Sequence, residues 1–279
     1  MARRRASRRC VPASLLTCRY GERVLVLGVC GLKGGVGKTS IVLGLASAAL
    51  ARGVRTLVID LDPQGDATMA LGADRTDRLD VSRVLDDPRA WSVARSIAPS
   101  TWADDGLDVM LGSADSAAHD GPGVGDDVGR LAFALSFVGG YDLALVDCPP
   151  SLGGLTRVGL TACDRAAVVT EPGLFAVMAV GRAMRTIEEL RRGPARALQP
   201  LGVVVNRVRT HSTEQTFRLA ELQALYGPLV LTPVVPERAA LQQAQGAARG
   251  VHAWPGAPAA ELARVFDQLL DRALRTPRA

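Results

Sequence analysis

The stretch "GLKGGVGKTS", residues 31–40, decides the reading of this chain. Before it runs "RVLVLGVC" (23–30), an apolar, β-branched run that reads as a buried strand. After it runs "KTSIVLGLASAALARG" (38–53), whose apolar spacing is helical and which stops at Gly53. A glycine-rich loop between a parallel strand and a helix is where an α/β sheet holds phosphate. Gly34, Gly35 and Gly37, with Val36 between them, let the backbone wrap an anion with its N–H groups turned inward. Lys38 offers a point charge to terminal phosphate oxygens, and Thr39 a hydroxyl to Mg²⁺. The stretch departs from G-x-x-x-x-G-K-[ST] by one residue and is better written K-G-G-V-G-K-T.

Lys33 and Lys38 are the only lysines among 33 basic residues. Arginine is a broad planar fork, whereas lysine is a slim ammonium that enters a phosphate cradle. A chain that uses arginine everywhere else keeps lysine where arginine does not fit. Lys38 has that place inside the loop. Lys33, at the loop's mouth, reaches the phosphates of its own site or those across a dimer interface.

Working outward, further strands are expected at 54–62, 107–113, 141–150, 165–172, 201–208 and 229–236, the last weakened by Pro233. Helical patterns fall at about 126–138, 174–192, 213–225, 238–248 and 258–274. Residues 73–106 mix Asp, Arg and two tryptophans and are assigned to helices and loops, and 119–127 to a glycine-rich loop. Strand and helix alternate, which predicts an α/β fold: a mostly parallel sheet with helices on both faces. No linker divides the body, so residues 24–279 are expected to form a single domain after a basic extension, 1–23.

The net charge of +5 belongs to that extension. Residues 1–23 hold seven arginines and one glutamate, +6, which leaves −1 for the rest. Net charge alone therefore argues nothing about nucleic acid. The apolar run in 1–23 is too short and broken for a secretory leader, and no segment has the apolar length of a membrane span. The five cysteines form no CxxC pair and the three histidines show no metal spacing, which suits a reduced cytoplasmic protein.

Acids end two of the apolar runs. Asp60, Asp62 and Asp66 follow the second strand, and Asp147 ends "YDLALVD". Asp-Pro and Gly-Asp form turns, so the first group alone reads as a turn cluster. Beside a phosphate loop it gains a second meaning, because a carboxylate near a γ-phosphate orients water and supports Mg²⁺. Asn206 ends the strand "VVVN", where it is either a polar terminus or an amide that donates to and accepts from a purine edge.

"KGGVGKTS", "VIDLDPQGDATMALG" and "YDLALVDCPPSLG" together resemble the nucleotide motifs of the ParA/MinD family of deviant Walker-A ATPases, most of all its ParA (Soj-like) partition branch. The resemblance runs from about residue 24 to the C-terminus. It implies a P-loop NTPase fold, ATP and Mg²⁺. It implies nucleotide contacts from Lys33, Gly34, Gly35, Val36, Gly37, Lys38, Thr39 and Ser40. Lys33 would be the signature lysine that crosses to the partner's nucleotide. Lys33, Lys38 and Asp62 would carry catalysis, Asp62 by orienting water. Thr39, Asp62 and Asp147 would hold the metal, Asn206 would read adenine, and the segment after Pro236 would wall the base. It further implies an ATP-dependent homodimer, non-specific DNA binding, stimulation by a ParB-like partner, and a cytoplasmic, nucleoid-associated life.

One stretch departs from the family. Where partition ATPases often carry P-R-x-x-R, this chain has "PERAALQQA", with Glu237, Arg238 and Ala240. Other DNA contacts would have to come from arginines such as Arg182, Arg185, Arg191, Arg192 and Arg218. A MinD-like membrane-cycling or cargo-positioning ATPase is the alternative, its amphipathic C-terminal segment ending polar. A small-molecule synthetase on the same scaffold generally lacks the D-x-D-P-Q-G stretch.

Overall fold

A computed structural model describes residues 24–121 and 128–275. The basic extension, part of the glycine-rich loop and the first residues of the helix expected at 126–138 lie outside the described residues. Seven strands form one sheet: β1 (Leu25–Cys30), β2 (Thr56–Asp60), β3 (Ile97–Pro99), β4 (Leu107–Met110), β5 (Leu143–Asp147), β6 (Arg165–Thr170) and β7 (Gln199–Val205). Their order is β3-β4-β2-β5-β1-β6-β7, and only the β3–β4 pair is antiparallel. The chain leaves β1 to one side to build β2–β4 and reaches the other side for β6 and β7. Such a reversal opens a crevice at the carboxyl ends of the central strands.

Alternate residues of β1 feed two cores. Leu25, Leu27 and Val29 pack with α1 (Lys38–Ala51) and α10 (Ala257–Arg275). Val26 and Cys30 pack with α6 (Gly154–Thr161) and α7 (Ala176–Arg192). The central strands β1, β2, β5 and β6 are buried along their whole length, as strands covered on both faces must be. Helix α1 is apolar on nearly every side because α10 covers the side the sheet leaves bare. Leu262, Phe266, Leu269 and Leu270 of α10 lie at three- and four-residue spacing and are buried.

Three expectations change. Residues 229–236 are not a strand. They make isolated bridges to β7 at Val203–Val230 and to the segment just beyond it at Val208–Pro236, with Pro233 lacking the N–H that a ladder needs. The seventh strand is instead β3, inside the stretch 73–106, which also holds α3 (Val81–Asp86) and α4 (Ala90–Ser96). The helix expected at 126–138 appears as the shorter α5, Arg130–Leu135. Of the remaining α-helices, α2 (Asp66–Ala70) and α8 (Thr213–Tyr226) follow the ends of β2 and β7, and α9 (Ala239–Gly246) follows the bridged segment 229–236.

Candidate nucleotide-binding site

The loop 31–37 crosses the carboxyl end of β1 and turns into α1. Gly37 caps that helix at φ 88°, a left-handed conformation that favours glycine, and no side chain caps the first turn. No acid lies in that turn either. The first N–H groups of α1 and the positive end of its dipole are thus left to a ligand anion. Gly35 is also left-handed, at φ 80°, and space stands open where its side chain would be. Lys38 is buried inside this bend, while Lys33, Gly34 and Gly35 are exposed at its rim.

Asn206 fixes the loop from behind. Its Nδ2 donates to the Val36 carbonyl at 2.8 Å, and the residue is buried. A Cβ on Gly37 would lie 2.3 Å from that nitrogen. The amide therefore has a local task that neither sequence reading contained. It ties the end of β7 to the phosphate loop across 170 residues of sequence.

The acids gather beside the loop because β5 lies between β1 and β2. Asp147 is in register with Val29 on one side and Asp60 on the other. Both Asp147 carboxylate oxygens are buried without a hydrogen-bond partner among the described residues. Burial pushes this carboxyl well above the usual range and Asp60 pushes it further, with Thr39 and Lys38 opposing. Asp60 is pushed up to about 6, chiefly by burial. Its Oδ2 accepts from the Thr68 N–H (2.8 Å) and hydroxyl (2.6 Å), and Thr68 Oγ1 accepts from the Gly112 N–H at 2.9 Å. Asp60 Oδ1 has no partner among the described residues. Asp62 follows, nearly buried, its Oδ1 accepting from the Gln64 N–H at 3.0 Å. Turn chemistry and proximity to the site coexist in this one residue.

A cluster of buried carboxylate oxygens without partners, beside a buried lysine and a threonine hydroxyl, suits a hard divalent cation held with phosphate. The arrangement fits Mg²⁺ and a nucleotide polyphosphate. Ser40, in the first turn of α1, points elsewhere: its hydroxyl donates to Gln245 Oε1 of α9 at 3.3 Å. The described thiols Cys30, Cys148 and Cys163 are buried, and burial pushes Cys30 up to about 12, so they offer no reactive thiolate.

Outside the loop, a cavity of about 420 Å³ opens between Lys33 and the start of α7. Leu174, Phe175 and Met178 line it and stay 62%, 68% and 59% exposed. Nothing in the sequence reading singled these residues out. A bulky apolar run at a helix start, straight after a strand, was the available signal. Of the arginines considered for DNA, Arg191 and Arg192 pair with Glu188, and Arg218 with Glu214 and Glu221. Arg182 and Arg185 have no acidic partner among the described residues. In the segment after Pro236, Glu237 pairs with Arg209, and Arg238 with Glu261.

Comparison with known proteins agrees with this geometry. The profile described as "CobQ/CobB/MinD/ParA nucleotide binding domain" matches residues 27–250. The chromosome partitioning protein ParA of Caulobacter vibrioides is 34% identical over 234 residues, covering 78% of this chain and 83% of its own. Cobyrinic acid a,c-diamide synthase of Mycobacterium smegmatis, solved with an ATP analogue and magnesium, is 28% identical. It superposes with a TM-score of 0.73 over 91% of this chain and 95% of its own. The ATP complex of a Cyanothece McdA variant reaches a TM-score of 0.79 over 93% and 99%, at 19% identity that speaks for the fold alone. The loop, the acids at the ends of β2 and β5, and these matches lead to one conclusion: the chain belongs to the ParA/MinD family of P-loop ATPases.

Proposed function

We propose that this chain is a DNA-partition switch driven by ATP. ATP joins two copies face to face, the pair holds DNA without regard to sequence, and a ParB-like partner stimulates hydrolysis and release. The observation that carries the reading is Lys33. It is exposed, has no hydrogen bond or ion pair among the described residues, and stands in an apolar collar of Leu174, Phe175 and Met178. A cation surrounded by exposed apolar side chains suits a surface that a second copy covers.

Within one copy, the loop N–H groups and Lys38 hold the β- and γ-phosphates, and Thr39 and Asp147 hold Mg²⁺ with support from Asp62. When bound there, Mg²⁺ would neutralise charge on the phosphate oxygens. Asp62 holds the attacking water, and Lys33 of the opposite copy meets the charge that develops as the phosphoryl group leaves. In the cell such a switch works in the cytoplasm, on the nucleoid while DNA-bound.

The MinD-like membrane reading is the weaker one, because the apolar face of α10 is already packed on α1. Among the described residues no helix is long and apolar enough to cross a membrane. The synthase relative raises a small-molecule reading, against which this chain carries D-x-D-P-Q-G at 60–65.

The test is retention of random-sequence DNA with ATP, with ADP and without nucleotide. Retention with ATP alone is expected, strengthened by Asp62→Ala, which traps the ATP-bound pair, and lost with Lys38→Ala. An ATP-dependent dimer that ignores DNA in every state would overturn the DNA assignment and bring membrane or cargo positioning forward.

A further inference from the structure

Asp62 rides on a short turn between β2 and α2, and what fixes that turn lies outside it. Within the turn, the Gly65 N–H donates to the Asp62 carbonyl at 2.9 Å and the Gln64 N–H to Asp62 Oδ1 at 3.0 Å. These bonds shape the turn without setting where it stands. Its near end is held to β5, because the Leu61 N–H donates to the Asp147 carbonyl at 3.0 Å. Its far end is held by Thr68, which lies in α2 and is 1% exposed. The Thr68 N–H and hydroxyl both donate to Asp60 Oδ2, back at the end of β2, and so close residues 61–67 into a ring. With the hydroxyl proton given to that carboxylate, Thr68 Oγ1 accepts the Gly112 N–H at 2.9 Å on a lone pair.

Gly112 comes from a third element, the exit of β4, and from none of the three nucleotide motifs. A Cβ on it would lie 2.6 Å from Asp60 Cγ, so glycine is what lets the β4 backbone approach so closely. Its carbonyl accepts from Arg75 Nη2. The Thr68 hydroxyl is thus the point where β2, α2 and β4 are tied together. A carboxylate that orients an attacking water must stand within about 0.5 Å of its working place. Misplacement by about 1 Å costs on the order of a hundredfold in rate. We propose that Thr68 is a positioning residue for ATP hydrolysis: its hydroxyl, bound to Asp60 and Gly112, fixes the turn that presents Asp62. With its proton and a lone pair both committed, the hydroxyl acts on the reaction through Asp62 and not on the nucleotide. The inference rests on the role proposed above for Asp62 and adds to it the support from β4.

The experiment measures single-turnover hydrolysis of radiolabelled ATP by the full chain in Mg²⁺, followed long enough to record slow residual rates. Mg-ADP affinity and Tm are measured beside it, and all rates are taken well below each variant's Tm. Thr68→Val keeps the shape and loses the hydroxyl. Thr68→Ala loses it too and favours the helix, so it carries the test if the valine variant folds poorly. Thr68→Ser keeps the hydroxyl and loses only a methyl group. The valine and alanine variants are expected to hydrolyse ATP about tenfold or more slowly, with ADP affinity within about threefold of wild type. The serine variant is expected within about twofold of wild type in both. In an Asp62→Ala background, removing the hydroxyl should change the residual rate by less than about twofold, because nothing is left to position. A wild-type rate without the hydroxyl, while Asp62→Ala is impaired, would overturn the inference alone. So would the same fold-loss in the Asp62→Ala background, or a rate loss matched by a loss of ADP affinity, since both are what packing alone predicts. A wild-type rate for Asp62→Ala itself would overturn the role of Asp62, and the inference with it.

Discussion

Asp60 and Asp147 are neighbours in register on β2 and β5. Burial raises the proton affinity of both, and Asp60 raises that of Asp147 further. For Asp60 the rise is from 3.8 to about 6. A carboxyl whose pKa is higher folded than unfolded favours the folded state while protonated and loses that favour as pH climbs. The loss begins near the unfolded value and is complete above about 6. Two units correspond to about 3 kcal/mol at most. Asp60→Asn keeps an oxygen for the two Thr68 donors and removes the charge. The nucleotide-free protein carrying it should melt higher than wild type at pH 7.5, with the gap closing toward pH 4. Thermal melts across that range check it; a gap independent of pH would mean the carboxyl is not strained by its charge. The same residue shows what a sequence can hide. Asp62 was readable because it ends the run and precedes Pro63, but the Thr68–Gly112 chain that holds Asp60 two residues before it appears only once β4 lies beside β2. Asn206 shows the same limit: its partner Val36 is 170 residues away, and strand chemistry alone does not say which carbonyl an amide will find.

At the scale of elements, the buried strands were legible because each is an apolar run stopped by glycine or an acid. The errors came from runs at the margin. Residues 229–236 are as apolar as a strand but beside β7 make only bridges, and β3 is three residues long, below any periodicity. The contact between α1 and α10 was not legible either, although it sets the position of the phosphate loop's helix. Gly44 of α1 accepts the ring of Phe266, and a Cβ there would lie 2.2 Å from ring atoms. Propensity alone says that Gly44→Ala stabilises the helix by about 1 kcal/mol. Overpacking opposes it by about 1–3 kcal/mol, and with a rigid ring at that distance the clash should win. Gly44→Ala is therefore expected to lower Tm, and adding Phe266→Leu should return part of the loss. Additive effects in this double-mutant cycle would deny that the two positions touch energetically.

For the whole molecule, the proposed partition role raises the question of where DNA affinity would reside when the body carries −1 and residues 1–23 carry +6. Two sources make different demands on salt and nucleotide. If residues 1–23 touch DNA, they would neutralise about six phosphates regardless of ATP, which would give a slope of log affinity on log salt of about −5 at most. A surface formed by the proposed pairing of two copies would appear only with ATP and would draw on arginines without acidic partners among the described residues, of which Arg182 and Arg185 lie on α7. Arg182 also lines the cavity beside Lys33, so Arg185 is the better candidate for an outward contact. Removing residues 1–23 should abolish retention seen without nucleotide and flatten its salt dependence, while ATP-dependent retention survives. Arg185→Glu in the full chain should do the reverse: weaken the ATP-dependent part several-fold and leave the nucleotide-independent part within twofold. Filter retention across a salt series, with and without ATP, separates the two. If the truncated chain dimerises with ATP yet retains no DNA, affinity belongs to the basic extension, and the paired surface must be serving another cargo.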